Sequence, residues 1–246
     1  MKRITILVGG TGGIGSAIAR ELSQKGDSVH LVARREDQLK ELADEIGGSY
    51  SVCDATDEDA MRSTFASIAT EGEITGIAVC VGSILLKPAH MTNLVEFRKC
   101  WETNVVPAFL AIKFGVPLLR EKGGSILLFS TAAANIGIPN HEAIASAKLG
   151  VVGLARSAAA TYASSQIRVN CIAPGLVNTP LSAKITGNPA AVKASLAFHP
   201  LNRIGEPDDI AGLASWLLSD QSRWTSGQTF TVDGGLSGLK VPKLAD

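Results

Sequence analysis

Short apolar runs alternate along this chain with longer stretches whose apolar residues recur at helical spacing. Residues 4–8, 29–33, 50–53, 77–81, 125–129, 167–172 and 229–232 read as seven strands. Between them, Ile14, Ala17, Ile18 and Leu22 predict one amphipathic helix, Leu39, Leu42 and Ile46 a second, and Met61, Phe65 and Ile68 a third. Another is predicted over 208–218, where acidic residues fill the first turn after Pro207. Strands alternating with helices throughout predict a parallel sheet covered on both faces. The length suits one α/β domain over residues 1–235, followed by a tail over 236–246.

Three stretches depart from simple amphipathicity. The helical pattern over 94–119 contains Pro107 and Pro117, which kink or divide it. The helix over 143–163 is small or apolar on nearly every side, interrupted chiefly by Lys148 and Arg156. Such a helix is buried all round, so one side is expected on the sheet and another on a second subunit, in a homodimer or homotetramer. The segment 181–202 has small residues, prolines and weak periodicity, which fits either a mobile lid over a pocket or a surface insertion.

Composition narrows the partners. Lys and Arg together number 23, as do Asp and Glu, and no basic stripe is present, which argues against nucleic acid. No signal peptide is visible and no apolar run looks long enough to cross a bilayer, so no membrane partner is expected. Cys53, Cys80, Cys100 and Cys171 are scattered without metal-ligand spacing and read as buried, reduced thiols of a cytoplasmic protein without a metal.

The first strand runs into a glycine turn containing Gly9, Gly10, Thr11, Gly12, Gly13 and Gly15, and then into a helix. Glycines let backbone approach a ligand closely, and the free amides of a helix start favour a phosphate. A diphosphate is the expected occupant. The second strand ends in Arg34 and Arg35, where an acidic residue would take a ribose 2′-hydroxyl and an arginine accommodates a 2′-phosphate. NADP(H) is therefore expected over NAD(H), the alternative being a solvated basic pair. The fifth strand ends in Ser130 and Thr131, aimed at the same sheet edge as Gly9, Asp54 and Gly82.

Together these features resemble the short-chain dehydrogenase/reductase family over residues 4–235. Gly9, Gly13, Ile14 and Gly15 match its TGxxxGIG turn, with Val8 where threonine is usual. Asp54 and Ala55 resemble the acidic pair that holds the adenine. Val79, Cys80, Val81 and Gly82 stand where the family has NNAG, so two amide side chains that buttress the cofactor pocket are missing. Asn104 matches the helix asparagine of the active-site tetrad. Pro174, Gly175, Val177 and Thr179 match PGxVxT, which holds the nicotinamide carboxamide, and 200–205, Pro207 and 232–235 match the C-terminal signatures. The resemblance implies a single-domain, Rossmann-like three-layer sandwich with a seven-stranded parallel sheet.

The chief departure is in the family's YxxxK. Lys148 is present, Thr131 takes the serine place, and Ile144 stands where the tyrosine belongs. In the resemblance the lysine grips the nicotinamide ribose and lowers the tyrosine pKa, and the tyrosine protonates the carbonyl oxygen. A positioned acid contributes about 10² to 10⁴ in rate, whereas bringing reactants together contributes about 7 to 11 kcal/mol by itself. Turnover without the phenol is thus expected to be slower unless another group supplies the proton. His141 is the candidate, three residues before Ile144, and the His141 to Lys148 spacing resembles the wider Y-x6-K of enoyl reductases in the superfamily. Three readings follow. One is an NADP(H)-dependent oxidoreductase of a carbonyl or alcohol, with Lys148, Asn104 and Thr131 positioning the reactants and His141 or water supplying the proton. The second is a reductase of an activated C=C or C=N bond, and the third an NADP(H)-binding protein without turnover. Pocket walls are expected from 83–91, 136–141 and 181–199, mostly apolar, for a small apolar organic substrate.

Overall fold

A computed structural model of the chain describes residues 2–240. Seven strands, β1 (Arg3–Val8), β2 (Ser28–Ala33), β3 (Ser49–Val52), β4 (Glu73–Val79), β5 (Gly124–Phe129), β6 (Ile167–Pro174) and β7 (Thr229–Val232), form one sheet in the order β3-β2-β1-β4-β5-β6-β7. All pairs are parallel. Parallel strands need crossovers, and the chain supplies helices for them on both faces. On one face, α1 (Gly13–Gln24), α2 (Glu36–Ile46) and α8 (Pro207–Leu218) bury Ile18, Leu22, Leu39, Leu42 and Ile210 with Leu7, Leu31 and Ile172. On the other, α3 (Glu58–Ile68), α4 (Leu94–Leu119) and α5 (Glu142–Tyr162) bury Met61, Phe65, Ala111, Val151 and Ala155 with Ile6, Ile77 and Ile126. Strand β4 begins earlier than its apolar run, because Glu73, Ile74 and Gly76 already pair with β1, the register skipping Thr75 between them.

Three details differ from expectation. Helix α4 is undivided across Pro107 and Pro117, the buried Pro107 ring joining the apolar face that holds the helix on the sheet. The segment after β6 is not structureless: a 3-10 turn at Pro180–Ser182 leads into α6 (Ala183–Thr186) and α7 (Pro189–Leu196). By length and hydropathy alone, α4 and the stretch Glu142–Ser165 are each long and apolar enough to cross a membrane, contrary to expectation; half of each such window is buried inside the domain. Residues 236–238 of the tail form turns, and 241–246 lie outside the described residues.

The strand order reverses between β1 and β4, which opens a crevice at their carboxyl ends where such sheets bind ligands. Most of the candidate residues belong to loops and helix starts along that edge, while Asn104 and Lys148 lie inside α4 and α5 and Pro174 ends β6.

Candidate active site

The crevice begins at the glycine turn. Gly9 has φ +82°, and a Cβ there would lie 2.8 Å from the backbone nitrogen of Val81. Only glycine lets the first turn pass so close to the end of β4. Gly13 has a similar role across the cleft, since a Cβ would come within 2.7 Å of Thr179 Cγ2. Helix α1 then starts with no side-chain cap and no acidic residue in its first turn. Its leading amides and dipole are thus left to an anion. Thr11, Gly12, Ile14 and Gly15 lie in this same turn and first helical turn.

Arg34 and Arg35 stand exposed immediately after β2. Asp54, past the neighbouring β3, accepts hydrogen bonds at Oδ1 from Thr56 N and Thr56 Oγ1 at 2.9 and 2.8 Å. These bonds hold its carboxyl below the usual range, with the Arg34 charge adding to the effect. A diphosphate cradle and exposed guanidiniums therefore share one edge, and this part of the chain fits a phosphorylated dinucleotide.

The floor of the crevice is built from β4, α4 and α5. Asn104 is buried, donating from Nδ2 to Cys100 O at 2.8 Å and Ser83 Oγ at 2.9 Å while Oδ1 accepts from Ser83 N at 3.1 Å. Ser83, expected from the sequence only as the start of a pocket wall, is thus its main partner. A Cβ on Gly82 would meet Asn104 Oδ1 at 3.1 Å and Lys148 Nζ at 3.3 Å, so the missing side chain lets both approach this loop. Lys148 is buried, and its Nζ donates to Phe129 O at 3.0 Å. Burial lowers its pKa to about 8, opposed by the neighbouring Cys171, Cys100 and Cys80 thiols. Desolvation pushes Cys80 and Cys171 up to about 12, so they stay protonated thiols at neutral pH.

Beside the crevice lies a separate, mostly apolar cavity of about 270 Å³. Ile84, Leu86, Ile138, Ile185 and Phe198 contribute to it, so each of the three wall segments expected from the sequence takes part. Leu176 and Leu236 were not foreseen there, whereas His199 ends the 181–199 wall expected from the sequence, directly before the C-terminal signature at 200–205. Thr131, His141 and Ile144 all face the cavity, whereas Lys148 and Asn104 do not line it. Thr131 Oγ1 accepts from Ala133 N at 3.3 Å, which leaves its proton to donate. His141 is the N-cap residue of α5, half-buried, with Nδ1 2.8 Å from Pro139 O. A carbonyl only accepts, so Nδ1 carries the hydrogen and Nε2 is the basic nitrogen. Ile144 is buried against Cys100, Ala143 and Ala147.

The loop after β6 closes the crevice. Gly175 N donates to Val232 O at 3.0 Å, and Asn178 N to Gly205 O at 2.8 Å, tying Pro174, Gly175 and Val177 to the C-terminal signatures. Thr179 presents its methyl to Gly13 and its hydroxyl to Ser182.

Residues 9–237 match a protein-family model described as Enoyl-(Acyl carrier protein) reductase. Over 243 residues the chain is 31% identical to a tropinone reductase homolog of Arabidopsis thaliana, covering 96% of this chain and 92% of the relative. It is 32% identical over 244 residues to the 2,5-dichloro-2,5-cyclohexadiene-1,4-diol dehydrogenase of Sphingobium indicum, covering 95% and 96%. Among solved structures, a short-chain type dehydrogenase/reductase from Mycobacterium ulcerans superposes with a TM-score of 0.91 at 31% identity, covering 96% of this chain and 90% of that one.

Proposed function

Because this chain belongs to the short-chain dehydrogenase/reductase family of oxidoreductases, we propose that it is an NADP(H)-dependent enzyme that interconverts a small apolar ketone and its secondary alcohol, with His141 carrying the proton in place of the absent tyrosine. The observation that carries the reading is the orientation of His141: Nδ1 is committed to Pro139 O while the ring lines the same cavity as Thr131 and Ile144. The Pro139 bond survives in both protonation states of the ring. Neutral His141 accepts an alcohol proton at Nε2, and the imidazolium returns it to a carbonyl oxygen. Thr131 donates to that oxygen.

The glycine turn and the start of α1 would hold the diphosphate, Arg34 and Arg35 the 2′-phosphate, and Asp54 with Ala55 the adenine. Val81, Gly82 and Lys148 would face the ribose, and Pro174, Gly175, Val177 and Thr179 the carboxamide. The bound dinucleotide supplies or accepts the hydride. Paired guanidinium donors favour a phosphate over a bare hydroxyl. The cavity is near the lower end of the usual range for small-molecule sites, about 300 to 1,000 Å³, and among the described residues no Asp, Glu, Lys or Arg lines it, His141 and His199 being its titratable side chains. With a relative named for a ring-borne diol, this supports an uncharged alicyclic substrate.

The test is NADPH oxidation with a panel of alicyclic ketones: His141→Ala is expected to lower kcat at least tenfold. An unchanged rate would take His141 out of the mechanism. A second reading, reduction of an activated C=C bond, is favoured by the description of the matching family model. It predicts turnover of enones in preference to saturated ketones in the same panel.

We extend the proposal to a homodimer or homotetramer. Leu94, Val95 and Phe109 on α4 and Leu149 on α5 are exposed apolar residues on neighbouring helices. Sedimentation is expected to give a dimer or larger, and Leu149→Glu to shift it toward monomer.

A further inference from the structure

The lid is fastened at both ends to consecutive residues of one loop. At its start, buried Ser182 donates from Oγ to Val177 O. At its end, His199, 5% exposed, donates from Nδ1 to Ser195 O at 2.8 Å and accepts at Nε2 from Leu176 N at 3.4 Å. Between these points α6 and α7 contain no buried residue. The imidazole also separates the substrate cavity from a second cavity of about 130 Å³, since it lines both. Gly175 makes room for it, a Cβ there lying 3.0 Å from Nε2.

We infer that His199 is a positioning residue that latches the lid to Leu176, and that it does so only while its ring is neutral. The inference rests on reading the larger cavity as the substrate site. A neutral ring with hydrogen on Nδ1 matches both partners, one acceptor and one donor. Protonation places a second N–H on Nε2, opposite the Leu176 N–H, and two donors repel. Ser195 alone keeps its bond, so the ring stays on the lid while the lid parts from the loop.

The other charged groups around the ring are already engaged. Across the smaller cavity, Asp209 is paired with Arg203 at 2.6 Å, and Asp233 accepts from Gly235 N at 2.9 Å and from Ser237 N at 2.8 Å. Across the larger one, His141 is bonded to Pro139. None of these makes a hydrogen bond to His199, so nothing stands ready to accept the new N–H.

Two variants separate the latch from mere packing. His199→Gln offers an oxygen to Leu176 and an N–H to Ser195 and cannot titrate at these pH values, whereas His199→Ala loses both bonds. The measurements are hydrogen exchange of the amides of 183–196, corrected for intrinsic pH dependence, and KM for a ketone at saturating NADPH, each at pH 5.5 and 8. At pH 8, His199→Ala is expected to raise KM about three- to tenfold, the effect of one or two ordinary hydrogen bonds, with kcat within about twofold, and to speed lid exchange. Wild type at pH 5.5 should resemble His199→Ala, and His199→Gln should resemble wild type at pH 8 under both conditions. Equal loosening in both variants, or a wild-type lid indifferent to pH, would overturn the inference. If lid exchange behaves as expected but no ketone or enone is turned over, the latch stands and the enzymatic reading falls.

Discussion

At the carboxyl ends of β1 and β2 the cleft is made largely of backbone, whereas at β5 and α5 it is made of side chains. The first region keeps its recognisable residues because geometry allows little else: Gly9 and Gly13 lie so near Val81 and Thr179 that any Cβ would have to displace them. The second is where the resemblance to the family is least complete. On that resemblance Ile144 stands in the phenol position, and its apolar chain packs with Cys100, Ala143 and Ala147, so packing there is satisfied by a residue that can donate nothing. Binding constraints and chemical constraints thus fall on different atoms of one crevice, and the chemical ones are easier to exchange.

The sharpest way to break this contrast is Ile144→Tyr. The residue faces a cavity, so a phenol can extend into open volume, and buried Lys148 lies one helical turn away to lower its pKa. A positioned acid contributes about 10² to 10⁴ in rate, and a rise in kcat of about a hundredfold is expected, measured by NADPH oxidation with the best ketone. In that background His141→Ala should cost less than about twofold. If the phenol changes nothing, proton transfer does not limit the wild-type enzyme and the loss of tyrosine is neutral rather than compensated.

The binding region is tested by Arg34→Glu. Reversing this charge removes paired donors from a 2′-phosphate and adds repulsion. A charged hydrogen bond contributes about 1.5 to 3 kcal/mol, so NADPH affinity in calorimetry is expected to fall about 10- to 100-fold while NADH affinity stays within about threefold. Equal losses for both nucleotides would mean that Arg34 serves the local fold near Asp54 and not nucleotide choice.

The same contrast governs how much of the molecule could be read from its residues. Strand positions and the glycine turn were legible because period-two and period-3.6 patterns and the geometry of tight turns are local properties. Boundaries slipped where pairing is set by neighbours, as at Glu73, Ile74 and Gly76 of β4. The undivided α4 was hidden for a related reason: burial against the sheet holds the helix across two prolines, and burial is not a local property. In the site, Lys148 and His141 were singled out through the family resemblance and Thr131 also through its place at a strand end. Their division into a floor and a separate cavity was not, since it depends on which way each side chain points. Ser83 and His199 fell inside the expected pocket walls, but their bonds to Asn104 and Leu176 escaped because those partners are distant in sequence.

The smallest effect concerns Lys148, where the demands of binding and of stability oppose each other. Its pKa is lowered from 10.5 to about 8 because the charged form loses hydration on burial. Between these values the unfolded chain binds more protons than the folded one, so this group makes stability rise with pH across that window; below about pH 8 its destabilising effect is present in full. Lys148→Met removes the penalty, on the order of 3 kcal/mol, but leaves Phe129 O without its donor, which returns part of it. The variant is therefore expected to melt a few degrees above wild type at pH 7, with the gap narrowing as pH rises beyond 8. Cys80 and Cys171 add an opposite slope at alkaline pH, since burial raises their pKa, but the slope is largely shared by both proteins and drops out of the difference. Calorimetry at several pH values supplies the comparison, and a gap that stays constant would mean that the amine sits in a wetter floor than its burial implies. A lysine retained at a cost in stability, beside a tyrosine position that has been given up, would mark the ribose grip as the function under the stricter demand.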